Sequence, residues 1–230
     1  MKNKLRKSST VKSLKLMKVI KLKKRIPNIS ILIISMLISV FFYSGLNNKI
    51  AINWLNGEVA TTTIESIALH SMPFIMILIY ALFRFIFRTS QDDISDNMKK
   101  TLIMITLLTI FTFYITIIII NLGYNLDVNV ITGLIFSFIL MITGSLMPKV
   151  KTNSIFGVRT EWTMSEERVW DITHGFTGKL FLLTGIISII LIMIIPKYSF
   201  IYGFSLFMIG AAIAIIHSYK TYKKIVNLDN

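Results

Sequence analysis

Few side chains in this sequence have the chemistry of a reaction centre. His70, His174 and His217 are scattered through 230 residues. None has further nitrogen or carboxylate ligands at a matching helical spacing to complete a metal's coordination sphere. Asp171 and His174 stand at i and i+3 and can touch, but they make a pair and not a triad. With no cysteine, thiolate metal sites, disulfides and thiol nucleophiles are excluded. The run Gly175-Phe-Thr-Gly178-Lys179 is too short for a phosphate loop, and Leu180 stands where that loop needs Ser or Thr. No Gly-x-Ser-x-Gly elbow occurs. These patterns point away from an enzyme and call for no cofactor and no metal.

What remains is a segment suited to recognition, Pro148–Lys179, which holds two of the three tryptophans. Thr163-x-x-Glu166 reads as a capping box that opens a helix. Gly175 is placed to end that helix. Glu166, Trp170 and His174 then share one face at i, i+4 and i+8. Upstream, Asn153 and Gly157 predict a turn that presents Val158-Arg159-Thr160. Arg159 can stack on an aromatic ring or grip a carboxylate through two parallel bonds. Asn153, Gly157, Arg159, Trp162, Trp170 and His174 are therefore the candidate partner-binding residues. Trp54 and Asn56 are candidates for a second, outer contact.

The rest of the chain must position that segment, and its composition says how. Hydrophobic residues make up 54% of the sequence, charged residues only 16%, and mean hydropathy is +0.70. A soluble domain carries about 25% charged residues, so this chain belongs in a bilayer. Six stretches lack any charge: Ile26–Asn48, Ser66–Phe83, Thr101–Leu126, Val128–Pro148, Leu180–Pro196 and Tyr198–Tyr219. A helix needs roughly 20 residues to cross the hydrocarbon. Leu180–Pro196 is the short one. The first run has a basic leader but no Ala-x-Ala-like cleavage site, so it reads as an uncleaved span. The expected fold is all-α, a polytopic bundle of six transmembrane helices. Its parts are a basic tail (1–27), a first helix pair with an outer loop (28–97), and a four-helix membrane domain (98–230) with a loop at 148–179.

Charge sets the expected orientation. The formal net charge is +14, and the tail before the first span alone carries eleven Lys and Arg. Nearly all the remaining basic residues fall on alternate connections. By the positive-inside rule both termini and the 148–179 loop are expected to be cytoplasmic. The charge is thus a topology signal, and no direct nucleic-acid partner is expected. None of the six spans contains Asp, Glu, Lys or Arg. Ion-coupled transporters place such groups at mid-membrane, so a transporter of small hydrophobic compounds is the lesser reading. A membrane anchor without a ligand is a further alternative.

One ordered pattern is more specific. Met147-Pro-Lys-x-Lys-x-Asn153, then Gly157-Val-Arg159-Thr-x-Trp162-Thr163, then Glu167-x-Val-Trp170-x-x-Thr173-His174 and Gly178 resembles the signature of the SdpI family of bacterial membrane proteins. Lys49-Ile-Ala-Ile-Asn-Trp54-Leu-Asn-Gly57-Glu58 is similar to the outer loop of a small domain often fused ahead of it, with Ala51 and Asn53 in place of a proline and a histidine. Glu161 also departs from the pattern, where a proline is expected, and so does Gly175, where a basic residue often follows the histidine. The resemblance implies immunity to a membrane-active peptide toxin. It also implies signalling, by holding a small cytoplasmic repressor at the membrane. Lipid bilayer, toxin and repressor are the partners it implies.

Overall fold

The computed structural model describes residues 26–43, 49–55, 58–90 and 94–229. The basic leader lies outside them. The described chain runs α1 (Ile26–Phe42), β1 (Lys49–Leu55), β2 (Glu58–Ile64), α2 (Glu65–Thr89), α3 (Asp96–Asn121) and α4 (Val128–Leu146). It continues through a 3-10 turn at Met147–Lys149, α5 (Glu161–Ser165), α6 (Glu167–Ile194), a second 3-10 turn at Pro196–Tyr198 and α7 (Ser199–Asp229). The membrane part is helical as expected. β1 and β2 form a two-stranded sheet between α1 and α2 that the all-α expectation did not include.

Among the described residues five helices are long and apolar enough to cross a membrane: α2, α3, α4, α6 and α7. Of the first expected span, Ile26–Asn48, residues 44–48 lie outside the described ones, and the structure describes a helix over Ile26–Phe42, 17 residues. At ~1.5 Å per residue that is about 25 Å, short of a ~30 Å hydrocarbon core.

The opposite correction applies at Leu180–Pro196. α6 begins at Glu167, so that span is the second half of one 28-residue helix. Gly175 does not terminate it. It sits in the helix interior with open space where a Cβ would be. The buried stripe Val169, Trp170, Thr173, His174, Thr177, Gly178 and Phe181 runs past Gly175 without a break. Packing along that stripe outweighs the ~1 kcal/mol penalty of a mid-helix glycine.

By compactness the chain divides into two units. The first comprises residues 1–50, 63–87 and 97–115; the second comprises 51–62, 88–96 and 116–230. The first unit is held by large side chains. Leu32, Met76, Ile103 and Leu107 are buried, with Tyr80, Phe83, Phe87 and Phe111 packed around them. Asn28 Nδ2 donates to the Lys100 carbonyl and links the start of α1 to α3.

The second unit is built by close backbone approach. At Gly133 a Cβ would stand 2.5 Å from the Ser199 carbonyl oxygen, and at Gly178 it would stand 2.7 Å from the Pro148 ring and 2.8 Å from the Gly144 carbonyl oxygen. α4, α6 and α7 can meet this closely only because those side chains are absent. Ser137 and Ser188 hydroxyls join α4 to α6 at 2.7 Å, buried. Asp127 caps α4, accepting from the Asn129 and Val130 amides. Asn129 Oδ1 in turn accepts from the Phe200 amide and fixes α4 to α7. Most of the mild intramembrane hydroxyls bond their own helix, as Thr106, Thr109 and Thr184 do. Such bonds are how polar groups are tolerated among apolar surroundings.

Candidate functional site: a strap tied to two helices

After α4 the chain leaves helical geometry at Val150 and re-enters it at Glu161. This strap is built residue by residue from backbone hydrogen bonds. Asn153, only 2% exposed, folds the first turn. Its Oδ1 accepts from the Ile155 and Phe156 amides at 2.9 and 2.8 Å. Its Nδ2 donates to the Lys151 and Phe156 carbonyls. A side-chain amide that mimics a turn in this way is the usual role of Asn in loops.

Gly157 follows with φ +131°. That conformation is reserved for glycine, and a Cβ there would lie 2.3 Å from His174 Nε2 and 3.0 Å from the Trp170 ring. At this position the strap can lie against His174 and Trp170 only through a residue without a side chain. The next amide, Val158 N–H, donates to His174 Nε2 at 3.0 Å.

His174 is committed on both nitrogens. Nε2 accepts from Val158, so the proton sits on Nδ1, which donates to the Trp170 carbonyl at 2.8 Å. The imidazole stacks on the Trp170 indole with ring centres 3.9 Å apart. Trp170 is wholly buried and donates from Nε1 to the Val150 carbonyl at 2.7 Å. Trp170 and His174 thus hold the strap at its beginning and its middle. No hydrogen bond or ion pair joins Asp171 and His174, because the histidine turns inward to the strap while Asp171 stays exposed, though the carboxylate acts on the imidazole electrostatically.

The capping box exists, but three residues earlier than the sequence suggested. Thr160 caps α5, and Thr163 is its reciprocal partner. Thr163 Oγ1 accepts from the Thr160 amide at 2.9 Å and donates to the Val158 carbonyl at 2.8 Å. Glu166 caps the next helix, α6, accepting from the Arg168 amide and pairing with the Arg168 guanidinium at 3.1 Å. Glu166 therefore does not line the Trp170–His174 face. The motif was misplaced because Thr163-x-x-Glu166 has the capping-box spacing, although Thr163 is the third residue of one short helix and Glu166 the cap of the next, and the short α5 was not foreseen.

Trp162 binds elsewhere. Its Nε1 donates to Ser218 Oγ on α7 at 2.8 Å, and its ring meets Tyr219 edge-on at 5.2 Å. Lys223 Nζ lies 4.8 Å from the Tyr219 ring centre. So the structure brings Asn153, Gly157, Trp170 and His174 into one lock on α6, and puts Trp162 in a second lock on α7. Arg159 lies between them. Val158 and Thr160 on either side are pinned, yet the Arg159 side chain is exposed and makes no hydrogen bond or ion pair among the described residues. Trp54 stands in β1, and Asn56 lies outside the described residues. Ser218, Thr160 and Thr163 were missed as site residues. Thr160-x-x-Thr163 was a readable capping signal, whereas nothing local marks Ser218.

Both His174 nitrogens are occupied by backbone, which leaves none for a metal. Among the described residues the strap presents the exposed Arg159 guanidinium, an arrangement suited to binding.

Comparison with known proteins agrees in placement. Residues 149–219 match the model of the SdpI/YfhL protein family, a range that holds the whole strap, α6, and α7 as far as Ser218 and Tyr219. The chain is 26% identical over 208 residues to the immunity protein SdpI of Bacillus subtilis, covering 89% of this chain and 98% of that protein. It is 32% identical over 59 residues to the uncharacterized protein YfhL of the same organism, covering 24% of this chain and 54% of YfhL. No solved structure matches it. The segment that carries the strap and the two helices it is tied to is thus where this chain is similar to the SdpI/YfhL protein family.

Proposed function

We propose that this chain is a multi-pass immunity protein of a bacterial plasma membrane, protecting the cell that makes it from a membrane-active peptide toxin. The observation that carries this reading is similarity along 98% of an immunity protein, with the strap inside the matched family segment. The physics is compatible. A hydrophobic peptide partitions into the bilayer, where a bundle of apolar helices meets it at raised local concentration. The charge distribution favours a cytoplasmic position for both termini and the strap. There Arg159 is the contact for an acidic surface on a cytoplasmic partner, a small repressor in the SdpI manner. Asn153, Gly157, Trp170 and His174 hold it in position, and Trp162 couples it to α7. Trp54 and Asn56 belong to the outer, toxin-facing side. Signalling requires that toxin bind one arrangement of the helices better than another, since equal affinity shifts nothing.

The test is expression of the full chain in a toxin-sensitive bacterium challenged with a panel of membrane-active peptides, SdpC-class toxin included. Survival at toxin concentrations that kill the parent strain is the expected result. Unchanged killing across the panel would overturn the reading, and efflux that depends on the proton gradient would replace it with transport.

A further inference from the structure

The middle of the strap rests on an acceptor that acid removes. Val158 N–H donates to His174 Nε2 at 3.0 Å, which requires that nitrogen to carry no proton. The one proton of the neutral ring sits on Nδ1 and serves the Trp170 carbonyl at 2.8 Å. A second proton can go only to Nε2. Two N–H donors would then face each other at a buried edge that Gly157 already crowds. A buried charged group left without its bond is costly, so the Gly157–Val158 corner must move off the ring.

We propose that the strap is an acid-released latch: with His174 neutral the corner is closed on α6, and protonation of Nε2 opens it and frees the neighbouring Arg159. The other ties do not titrate near neutral pH. Trp170 still holds the Val150 carbonyl, Thr163 the Val158 carbonyl and Trp162 the Ser218 hydroxyl. Opening is therefore local, and the corner closes again when the proton leaves. The proposal concerns only the strap and α6, and it does not depend on the immunity reading.

The surroundings set where the latch opens. His174 lies ahead of the uncharged run that starts at Leu180, at the aqueous end of α6. Burial holds the imidazole below its ordinary value, against the Trp170 carbonyl and the Asp171 carboxylate, which both favour the charged ring. On α6, Arg168 pairs with Glu166. Among the described residues, Lys149, Lys151 and Arg159 along the strap, Glu161 on α5 and Lys220 on α7 make no hydrogen bond or ion pair with the imidazole. His217 on α7 stacks on Phe176 instead. The latch is thus at full strength above about pH 6.5, the ordinary histidine value, and is lost as pH falls through the lowered value of the folded chain.

The experiment uses the full chain in lipid nanodiscs. The sequence has no cysteine, so Arg159→Cys carries a single nitroxide label that reports the motion of the strap. Between about pH 7.5 and 5.0 the mobile fraction should rise reversibly, the closed-to-open ratio falling by up to about tenfold per pH unit, the limit for one proton. His174→Gln keeps a side-chain acceptor that does not titrate in this range, and should stay closed throughout. His174→Phe offers no acceptor and should stay open throughout. Asp171→Asn removes a carboxylate that favours the charged ring, and should move the transition to lower pH. Label mobility that ignores pH overturns the latch, and so does a transition that survives in both His174 variants. Nitrogen NMR of the three histidines checks the same point without substituting His174. Its ring must titrate at the midpoint of the label, and a different midpoint overturns the proposal. None of these readouts uses toxin, so a failed latch leaves immunity standing, and failed protection leaves the latch.

Discussion

The two compact units solve the same problem, holding apolar helices together, by different means. In the first, bulky residues such as Leu32, Met76 and Leu107 fill the space between helices. In the second, side chains are removed where helices cross, at Gly133 and Gly178, and polar bonds such as Ser137–Ser188 and Trp162–Ser218 fix the register. Lipid tails are as apolar as leucine, so bulk alone gives little preference for one helix arrangement over another. Close approach and buried polar bonds do give that preference. The strap is tied to the unit that has the defined register. The role proposed for Arg159, presented from the strap to a partner, would be served by such a base.

The contrast can be broken or sharpened by substitution, and the largest effect is expected at the lock. Trp170→Ala removes a wholly buried ring, its bond to Val150 and the surface under His174, and should cost ~3–5 kcal/mol. Thermal unfolding in detergent and faster proteolysis between residues 150 and 165 would register it. Next comes a pair of tests, one in each unit. Gly178→Ala puts a methyl against the Pro148 ring and the Gly144 carbonyl and should cost ~1–3 kcal/mol. Met76→Leu in the first unit keeps volume and should cost less than about 1.5 kcal/mol. Equal losses from the two would erase the distinction between the units.

Trp162→Phe keeps most of the ring but loses the bond to Ser218, for about 1 kcal/mol. It should loosen α5 from α7 while the Trp170–His174 lock persists, visible as proteolysis confined to the residues around 162. The smallest change in stability is expected at Arg159→Ala, within about 0.5 kcal/mol, because the side chain is exposed. Equal thermal stability with loss of partner capture would separate recognition from folding. A large fall in stability would show that Arg159 is part of the fold.

Much of this was legible in the residues. Spans over α2, α3, α4 and α7 follow from uncharged runs, because a bilayer leaves little freedom to an apolar stretch of that length. Asn153 and Gly157 were readable as a turn because their backbone roles are intrinsic to their side chains. Trp170 and His174 were readable as neighbours because i and i+4 meet on a helix. What failed to show was set by distant packing. Gly175 carries a stop signal that the buried stripe overrides, and Ser218 is fixed as Trp162's partner only when α7 returns beside the strap. The sheet was a different case. Asn56-Gly57 between runs rich in Ile, Val and Thr is a hairpin signal, passed over because the surrounding chain reads as membrane helices.

The unbroken course of α6 has a mechanical consequence. At ~1.5 Å per residue its 28 residues span about 42 Å, some 12 Å more than the hydrocarbon is thick. The surplus is about eight residues, and the strap is fastened within the charged end of the helix that precedes Leu180, at Trp170 and His174. Without a hinge at Gly175, the buried and the protruding ends are one lever. A tilt imposed at the Ile194 end swings the fastening point at the other.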